Sequence, residues 1–483
     1  MTDALALLPF AVAAGGGMLD EIESQQWVAA GHTLLTRSAP LVRTLGGARS
    51  AILLPPGGPF LSALAASDGR GAVLINPLAS KREIVHQLAD AEVAVVFTNA
   101  TLAALLPPGF ARVLMDDAPR SARVQVGDRD NFVDLGNHFG LDIIGSTDTP
   151  GRDEEAVIVY TSAMAGTPLG AILTHRNVLF NARASIDAFA DETRDHCLSA
   201  LPFAHLFGLI VCTCAPLIAG SRVTTMDRFH PGRALDIITE QRVTRFMGVP
   251  SMYAALLGAM KRRGSAEFTS HRLRLCFVGG APVAESLQED WFAATGVELR
   301  QGYGLTEAAP ASLLTRADVA NERGTMGTAI SGTDVTIRDP TTSAVVPDGR
   351  VGEICVRGPH VFPGYVSAGQ HGLQVRSGWL HTGDLGVKHA NGTVAFRGLI
   401  KPMFTRNGFN IYPREIEAAL LRMPGIDAAH AWAIPDADKE NSVAVRVAGN
   451  VAAADVKRWA QQELAAYKVP GTIEISTTEN PNN

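Results

Sequence analysis

The chain has 483 residues, of which 46% are hydrophobic and 19% are charged, and its formal net charge is −6. This length exceeds one hydrophobic core, which predicts at least two domains, and the weak negative charge gives no reason to expect nucleic acid or an anionic membrane as a partner. No apolar run approaches the roughly 20 residues that span a bilayer. The five cysteines are scattered and form no CxxC pair, which indicates neither a zinc site nor a disulfide framework. We therefore predict a soluble protein of the reducing cytoplasm without membrane insertion.

The first 150 residues alternate short apolar runs with helix-like segments. Strands are predicted at 51–54, 71–77 and 94–97, and a helix at 81–91 has apolar residues on one side. This spacing is typical of βα units, so we expect an α/β fold whose mainly parallel sheet is flanked by helices.

The stretch 157–177 combines a strand with a loop suited to phosphate. Residues 157–160 form a β-branched run, residues 161–170 are small or turn-forming, and a helix is predicted to start near Asn177. A strand followed by a Ser/Thr/Gly loop presents backbone N–H groups and hydroxyls to a phosphate. Taken alone, the stretch is equally typical of a surface hairpin turn.

Later loops carry further candidate site residues. His205 lies in an apolar run, where a histidine is more often a core or pocket-wall residue than a base. The turn at 279–281 follows a strand, and Thr306 and Glu307 follow the glycine-rich segment 302–304. Glu307 has the carboxylate that Mg²⁺ prefers, although a Thr-Glu pair is also an ordinary first helical turn. Because ligands collect at the carboxyl ends of strands in an open α/β sheet, we expect these loops to meet at one site.

The chain changes character after residue 325. Residues 325–400 are rich in predicted strands bounded by glycine, and Asp384 lies in a loop where it can accept two ribose hydroxyls or form an Asx-turn. From residue 401 onward, two helices and two strands predict a separate small α+β domain.

Eight segments, taken in order, resemble the adenylate-forming superfamily, which comprises acyl- and aryl-CoA synthetases, adenylation domains of peptide synthetases, and luciferases. They are YTSAMAGTPLGAILTHRN, LPFAHLFGL, FVGGAP, GYGLTE, GEICVRGP, GWLHTGDLG, KPMFTRNGFNIYPREIE and YKVP. The resemblance implies a large N-terminal domain over residues 1–400, with mainly parallel sheets flanked by helices plus a β-rich subdomain. It implies a small mobile α+β C-terminal domain over residues 401–483, with the active site between the two.

The resemblance also implies the chemistry. A carboxylic acid reacts with ATP, assisted by Mg²⁺, to give acyl-AMP and pyrophosphate, and the thiol of CoA or of a carrier-protein phosphopantetheine then displaces AMP. Such a site works by positioning and by stabilising charge on the phosphates. A homodimer is a possible assembly.

The residue roles that the resemblance implies fall into two sets. Nucleotide and metal binding is assigned to Thr161, Ser162, Gly166, Gly170, Gly279, Gly280, Ala281, Tyr303, Thr306, Glu307 and Asp384, with Glu307 as the metal ligand. The acyl and thiol side is assigned to His205, to the turn at 248–250, to Gly408 beside the pantetheine tunnel, and to Lys401 as the hinge. We predict Thr306, Glu307 and His205 as the catalytic residues.

Three departures from the family pattern affect the adenylation half of the reaction. In the phosphate loop, residues 163–165 replace a glycine and two hydroxyl residues, and Leu169 replaces a lysine. Leu399 stands where the family has an arginine, and no Gly-Lys pair follows the YKVP segment at 467–470. The alternative function is therefore a member without efficient adenylation, which uses a preformed acyl-adenylate or thioester or acts as a binding protein.

Overall fold

The computed structural model describes most of the chain. The described residues are 7–42, 49–67, 71–115, 121–126, 129–135, 153–161, 168–264, 268, 271–367, 374–400, 403–436 and 439–476. Among them, none of the helices combines the length and the apolar character needed to cross a membrane.

The first part of the chain supplies four α-helices, one 3-10 helix (Leu102–Leu105) and ten strands among the described residues. The helices are α1 (Leu8–Gly15), α2 (Ser24–Val42), α3 (Gly58–Ala66) and α4 (Lys81–Asp90). The strands are β1 (Met18–Leu19), β2 (Ile22–Glu23), β3 (Arg49–Ile52), β4 (Ala72–Leu74), β5 (Val93–Thr98), β6 (Ala111–Met115), β7 (Ser121–Val126), β8 (Arg129–Asp134), β9 (Glu155–Thr161) and β10 (Leu169–Thr174). The helix predicted at 81–91 is α4, and its start is fixed by a capping box between Ser80 and Glu83.

The middle part alternates helices and strands. The helices are α5 (His175–Phe189), a π-helix (Phe207–Cys214), α6 (Ala215–Ile218), α7 (Pro231–Glu240), α8 (Pro250–Arg262) and α9 (Glu285–Thr295). The strands are β11 (His196–Ser199), β12 (Arg222–Thr225), β13 (Arg245–Gly248), β14 (Leu275–Val278), β15 (Leu299–Gly304), β16 (Ala311–Leu314) and β17 (Thr328–Ala329). Thr306 and Glu307 lie in a single 3-10 turn, Thr306–Ala308, rather than at the start of an α-helix.

The last part is β-rich and then mixed. Its β-rich strands are β18 (Asp334–Arg338), β19 (Val351–Arg357), β20 (Gly364–Tyr365), β21 (Gln374–Arg376), β22 (Trp379–Lys388) and β23 (Val394–Leu399). The small α+β part holds β24 (Phe404–Arg406), β25 (Phe409–Ile411), α10 (Pro413–Leu420), β26 (Ile426–Asp436), β27 (Glu440–Gly449), α11 (Ala453–Glu463) and β28 (Thr472–Ser476). It has its own core, in which Ile416, Leu420 and Val445 are fully buried.

Two large sheets, each with nine strands among the described residues, form the body of the molecule. Their orders are β17-β16-β15-β14-β13-β11-β12-β1-β2 and β20-β10-β9-β4-β3-β5-β6-β7-β8. Pairing is parallel in the middle of each sheet and antiparallel towards the edges. Strands β18, β19, β21, β22 and β23 form a separate antiparallel sheet. The predicted fold class is therefore confirmed.

The stretch 157–177 contains a hairpin. β9 and β10 pair antiparallel, with Thr161 opposite Leu169 and Tyr160 opposite Gly170. The predicted helix near Asn177 is α5, which begins at His175 because Thr174 and Asn177 form a capping box. The pairing confirms the hairpin, whereas residues 162–167, which hold most of the predicted phosphate loop, lie outside the described residues.

Candidate active site

A cavity of about 510 Å³ lies between the large body and the small C-terminal part. The body contributes the ends of β9, β10 and β15 and part of β22, and the small part contributes the β24–β25 hairpin and Tyr467. Asp384 was predicted to lie in a loop, but it lies within the strand β22, because it pairs with Leu399 of β23. The loops therefore converge at one site, as expected for strands that end at the same edge of a sheet.

The structure brings most of the predicted site residues to this cavity. The predicted residues that line it are Thr161, His205, Gly280, Ala281, Tyr303, Thr306, Glu307, Asp384 and Gly408. Gly279 lines a smaller cavity beside it, and Gly170 lies in β10 against the Tyr160 ring. Ser162, Gly166 and Lys401 lie outside the described residues.

Asp384 and Tyr303 form a hydrogen-bonded pair on the cavity wall. The Tyr303 hydroxyl donates to Asp384 Oδ2 at 2.6 Å. Burial raises the pKa of Asp384 to about 6, the Tyr303 hydrogen bond acts in the opposite direction, and the nearby Glu353 adds to the increase. Asp384 is therefore an anionic acceptor for hydroxyl groups near neutral pH.

Glu307 is a buried carboxylate that lines the same cavity. Its Oε1 accepts a 2.7 Å hydrogen bond from the Tyr365 hydroxyl. Burial raises its pKa, and the hydrogen bond from Tyr365 partly offsets that increase. With the Thr306 hydroxyl beside it, Glu307 offers oxygen donors, and these fit Mg²⁺, which binds to one or two carboxylates plus phosphate oxygens.

His205 forms part of the wall that faces the small C-terminal part. Its Nε2 lies 3.4 Å from Asn76 Nδ2, and its ring centroid lies 5.2 Å from that of Phe409. Burial, with a smaller effect of the Lys468 charge, lowers the pKa of His205 to about 4. The imidazole is therefore neutral at physiological pH, and its predicted catalytic role stays a prediction.

A smaller cavity of about 70 Å³ continues from the first one. The two share Gly280, Gly302, Tyr303 and Gly304. Of the described residues that line it, none has a carboxylate, ammonium or guanidinium group, and Phe207 and Phe277 meet edge to face at 6.2 Å. The slot is therefore apolar and opens into the larger, more polar cavity.

The small C-terminal part closes over the cavity through Gly408. A Cβ atom at Gly408 would lie 2.6 Å from Val249 Cγ1, and φ of Gly408 is +77°. Both facts require glycine, because other residues would clash and would be strained there. Phe409 then stacks on Tyr467, with ring centroids 4.2 Å apart.

Comparison with known proteins decides the family. Residues 46–366 match the AMP-binding enzyme family, and residues 415–482 match the AMP-binding enzyme C-terminal domain. The chain belongs to the AMP-binding enzyme family. A feruloyl-CoA synthase from an Amycolatopsis species is 34% identical over 442 residues, covering 89% of this chain and 85% of that protein.

Two further proteins are similar to this chain over most of its length. A long-chain-fatty-acid–CoA ligase from Escherichia coli O157:H7 is 28% identical over 442 residues, covering 84% of this chain and 78% of that protein. A solved malonyl-CoA ligase with methylmalonyl-CoA and AMP bound has the same fold, with a TM-score of 0.79, 24% identity, and coverage of 96% of this chain and 97% of that one.

Family membership confirms the predicted enzyme class. The protein is an acyl-CoA synthetase-like ligase that works through acyl-AMP, with ATP and CoA as substrates and Mg²⁺ as the family's metal. The domain boundary at residue 400, the individual residue roles, the carrier-protein acceptor and the homodimer stay predictions.

Several residues of this AMP-binding enzyme site were missed by the sequence interpretation. Tyr365, which positions Glu307, follows the GEICVRGP segment closely, and its Gly-Tyr pair was the available signal. Glu353 lies inside that segment, and its Oε1 accepts from the Gly383 N–H at 3.0 Å, which holds the backbone next to Asp384. Phe409 lies inside the segment KPMFTRNGFNIYPREIE, but the sequence interpretation assigned it no role.

Proposed function

We propose that this protein activates a small, uncharged aromatic acid as its acyl-adenylate and transfers the acyl group to the thiol of CoA or of a carrier protein. The observation that carries the proposal is the junction of the two cavities. Gly280, Gly302 and Tyr303 border both the polar cavity and the apolar slot. An acid whose apolar end fills the slot presents its carboxylate to the polar cavity.

The polar cavity suits the nucleotide side of the reaction. Asp384 accepts ribose hydroxyls, Gly280 and Ala281 lie along the adenine, and Thr306 and Thr161 provide hydroxyls for the phosphates. Glu307 would hold Mg²⁺, which neutralises phosphate charge when it is bound. The acid's carboxylate oxygen then attacks the α-phosphorus, and the bond to pyrophosphate breaks.

The small C-terminal part suits the thiol side. Gly408 packs on Val249 without a side chain, which keeps the backbone close to the cavity mouth. The thiol sulfur attacks the acyl carbon, its proton passes to water, and AMP leaves with the electron pair of the broken C–O bond. We assign residues 1–400 to the first domain and 401–483 to the second.

The substrate class follows from the slot. A second charged group on the acid would be buried there without a partner, which is costly, so dicarboxylic acids are excluded. The slot of about 70 Å³ opens into the 510 Å³ cavity at Gly280, Gly302 and Tyr303, so a single ring can lie across the junction of the two, whereas a long alkyl chain exceeds the slot. The edge-to-face pair of Phe207 and Phe277 favours a flat ring, in agreement with the feruloyl-CoA synthase name of the Amycolatopsis relative.

A panel of acids tests this proposal. ATP–pyrophosphate exchange and CoA-thioester formation are measured with benzoic and hydroxycinnamic acids, with malonate and with palmitate. We expect the aromatic acids to react with the highest kcat/KM. Preference for malonate or palmitate would contradict the substrate class.

A second candidate function is supported by Leu169. Its side chain is buried at 6% exposure, borders the large cavity, and stands where the family has a lysine. Leu399 lines the same cavity in place of an arginine. The candidate is a member with a degenerate phosphate loop that uses a preformed acyl-adenylate. Thioester formation from synthetic acyl-AMP without exchange from ATP would favour it, whereas robust exchange would exclude it.

A further inference from the structure

Lys468 has an unusual environment for a lysine. Its side chain is only 4% exposed, and its Nζ donates to Glu415 Oε1 at 2.6 Å and to Glu83 Oε1 at 2.8 Å. Lysine is almost never fully buried unless it is paired. The pairing therefore explains why this ammonium group tolerates its position.

The two carboxylates belong to different parts of the molecule. Glu83 lies in α4 of the large body, and Glu415 lies in α10 of the small C-terminal part. Lys468 also belongs to the small part, where it ends the 3-10 helix Ala466–Lys468. The Glu83–Lys468 contact joins residues 385 positions apart. The three residues thus connect the small part to the body by a buried charge cluster.

Glu83 is itself held firmly. Its second oxygen, Oε2, accepts a 2.7 Å hydrogen bond from the Ser80 N–H, which completes the capping box of α4. One oxygen therefore caps a helix of the body while the other binds Lys468. The lysine is attached to a rigid element rather than to a surface side chain.

The Lys468 ammonium group keeps its charge in this cluster. Burial acts to lower the pKa of Lys468, but the net shift is upward, because Tyr467, Glu415 and Glu83 surround the ammonium group. Lys468 is therefore positively charged throughout the physiological range. Loss of one partner would leave a buried charge unpaired, which is strongly destabilising for the contact.

The cluster is linked to the cavity through the neighbouring residue. Tyr467 stacks on Phe409 with an interplanar angle of 15°, and Phe409 faces His205 of the body. Gly408, next to Phe409, packs on Val249. Fixing Lys468 therefore fixes the hairpin that covers the cavity.

We propose that Lys468, held between Glu83 and Glu415, is a positioning residue that orients the small C-terminal part for transfer of the acyl group to the thiol. The residues assigned to ATP in the body, such as Thr306 and Asp384, do not depend on this orientation. Loss of the cluster therefore affects the second half-reaction far more than the first. This inference rests on the proposed two-step reaction.

The test compares Lys468→Met with Lys457→Met, a matched change of an exposed lysine on α11 of the same part. We expect Lys468→Met to slow thioester formation from synthetic acyl-adenylate by about tenfold or more, while ATP–pyrophosphate exchange changes by less than about threefold. Lys468→Arg, which keeps the charge, should retain most of the thioester rate, and Lys457→Met should match the unmodified protein. Equal loss of both half-reactions in Lys468→Met, or loss of neither, would overturn the proposal.

A second measurement does not depend on activity. Hydrogen exchange of the amides in 404–411 should become faster in Lys468→Met and in Glu83→Gln but not in Lys457→Met. Because Glu83 lies in the body, Glu83→Gln still provides the test if Lys468→Met does not fold. Unchanged hydrogen exchange in the folded variants would overturn the proposed anchoring. If hydrogen exchange becomes faster but the unmodified enzyme is inactive with every acid, the proposed function is refuted and the anchoring role is supported.

Discussion

The Tyr303 hydroxyl lies 2.6 Å from Asp384 Oδ2 and joins β15 of a large sheet to β22 of the antiparallel sheet. This bond fixes the carboxylate that we assign to the ribose of ATP. It brings two distant segments of the chain, GYGLTE and GWLHTGDLG, to the wall of one cavity.

Removal of this bond should weaken ATP binding. In Tyr303→Phe the carboxylate loses a donor to a charged acceptor, an interaction of about 1.5–3 kcal/mol. We expect the KM for ATP to rise by about tenfold, and initial rates at varied ATP concentration measure it. The KM for CoA serves as the internal control, and an equal rise in both constants would contradict a specific role at the ribose.

The pH dependence of ATP binding should follow Asp384. Because burial raises the pKa of this carboxyl to about 6, it is ionised at pH 7 and largely protonated at pH 5. Ribose hydroxyls need the ionised acceptor, so kcat/KM for ATP should fall by about tenfold per pH unit below 6. In Asp384→Asn this dependence should disappear, and its persistence would assign the titration to another group.

The same shift has a consequence for stability, with a defined sign. Between the usual pKa of 3.8 and about 6, the folded state binds a proton at Asp384 that the unfolded state has released. This contribution to stability is present below pH 3.8 and is lost as the pH rises through 6. The free energy of unfolding, measured with urea at pH 4.5 and pH 7, should therefore differ less between the two pH values in Asp384→Asn than in the unmodified protein.

Glu307 should govern the magnesium requirement. Glu307→Gln removes the carboxylate charge but keeps the size of the side chain, so the Mg²⁺ concentration for half-maximal exchange should rise by about 100-fold. Tyr365→Phe removes only the hydrogen bond that positions Glu307, so it should raise this Mg²⁺ concentration by about tenfold. Mg²⁺ titration of pyrophosphate exchange measures both, and an unchanged requirement in Glu307→Gln would place the metal elsewhere.

Much of the fold and of the site could be predicted from local patterns. The β-branched run before Thr161 forms β9, and the glycine-rich turns after β14 and in β15 reach the cavity. These predictions succeeded because strand ends in an open α/β sheet lie together, so loop chemistry and sequence order suffice.

Contacts between distant residues could not be predicted in the same way. Nothing near Lys468 in the sequence indicates that it binds Glu83, because the partner lies in another helix of the body. Tyr365 and Glu353 were missed for the same reason, since each acts by holding another residue of the site. Such positioning roles depend on tertiary packing, which a single sequence does not contain.

The proposal that Leu169 limits adenylation can be tested by substitution. Leu169 pairs with Thr161 and borders the large cavity, so a lysine there can extend its ammonium group towards the phosphates. Because a hydrogen bond to a charged group contributes about 1.5–3 kcal/mol, Leu169→Lys should raise ATP–pyrophosphate exchange by about tenfold. Leu169→Met is the matched control without charge, and equal exchange in the two variants would show that this position does not limit adenylation.

Gly279 provides a test of the apolar slot. A Cβ atom there would lie 3.6 Å from Phe207 Cε1 and 3.7 Å from the Gly302 carbonyl oxygen, which are ordinary contact distances. Gly279→Ala should therefore fold normally, whereas the methyl groups of Gly279→Val should enter the 70 Å³ slot. Since one methylene in a hydrophobic pocket changes discrimination by about 1–3 kcal/mol, kcat/KM for an aromatic acid should fall by about 10- to 200-fold in Gly279→Val, and that for acetate should change little. Melting temperatures of both variants check the fold, and an equal loss for every acid would show that the acyl group binds outside this slot.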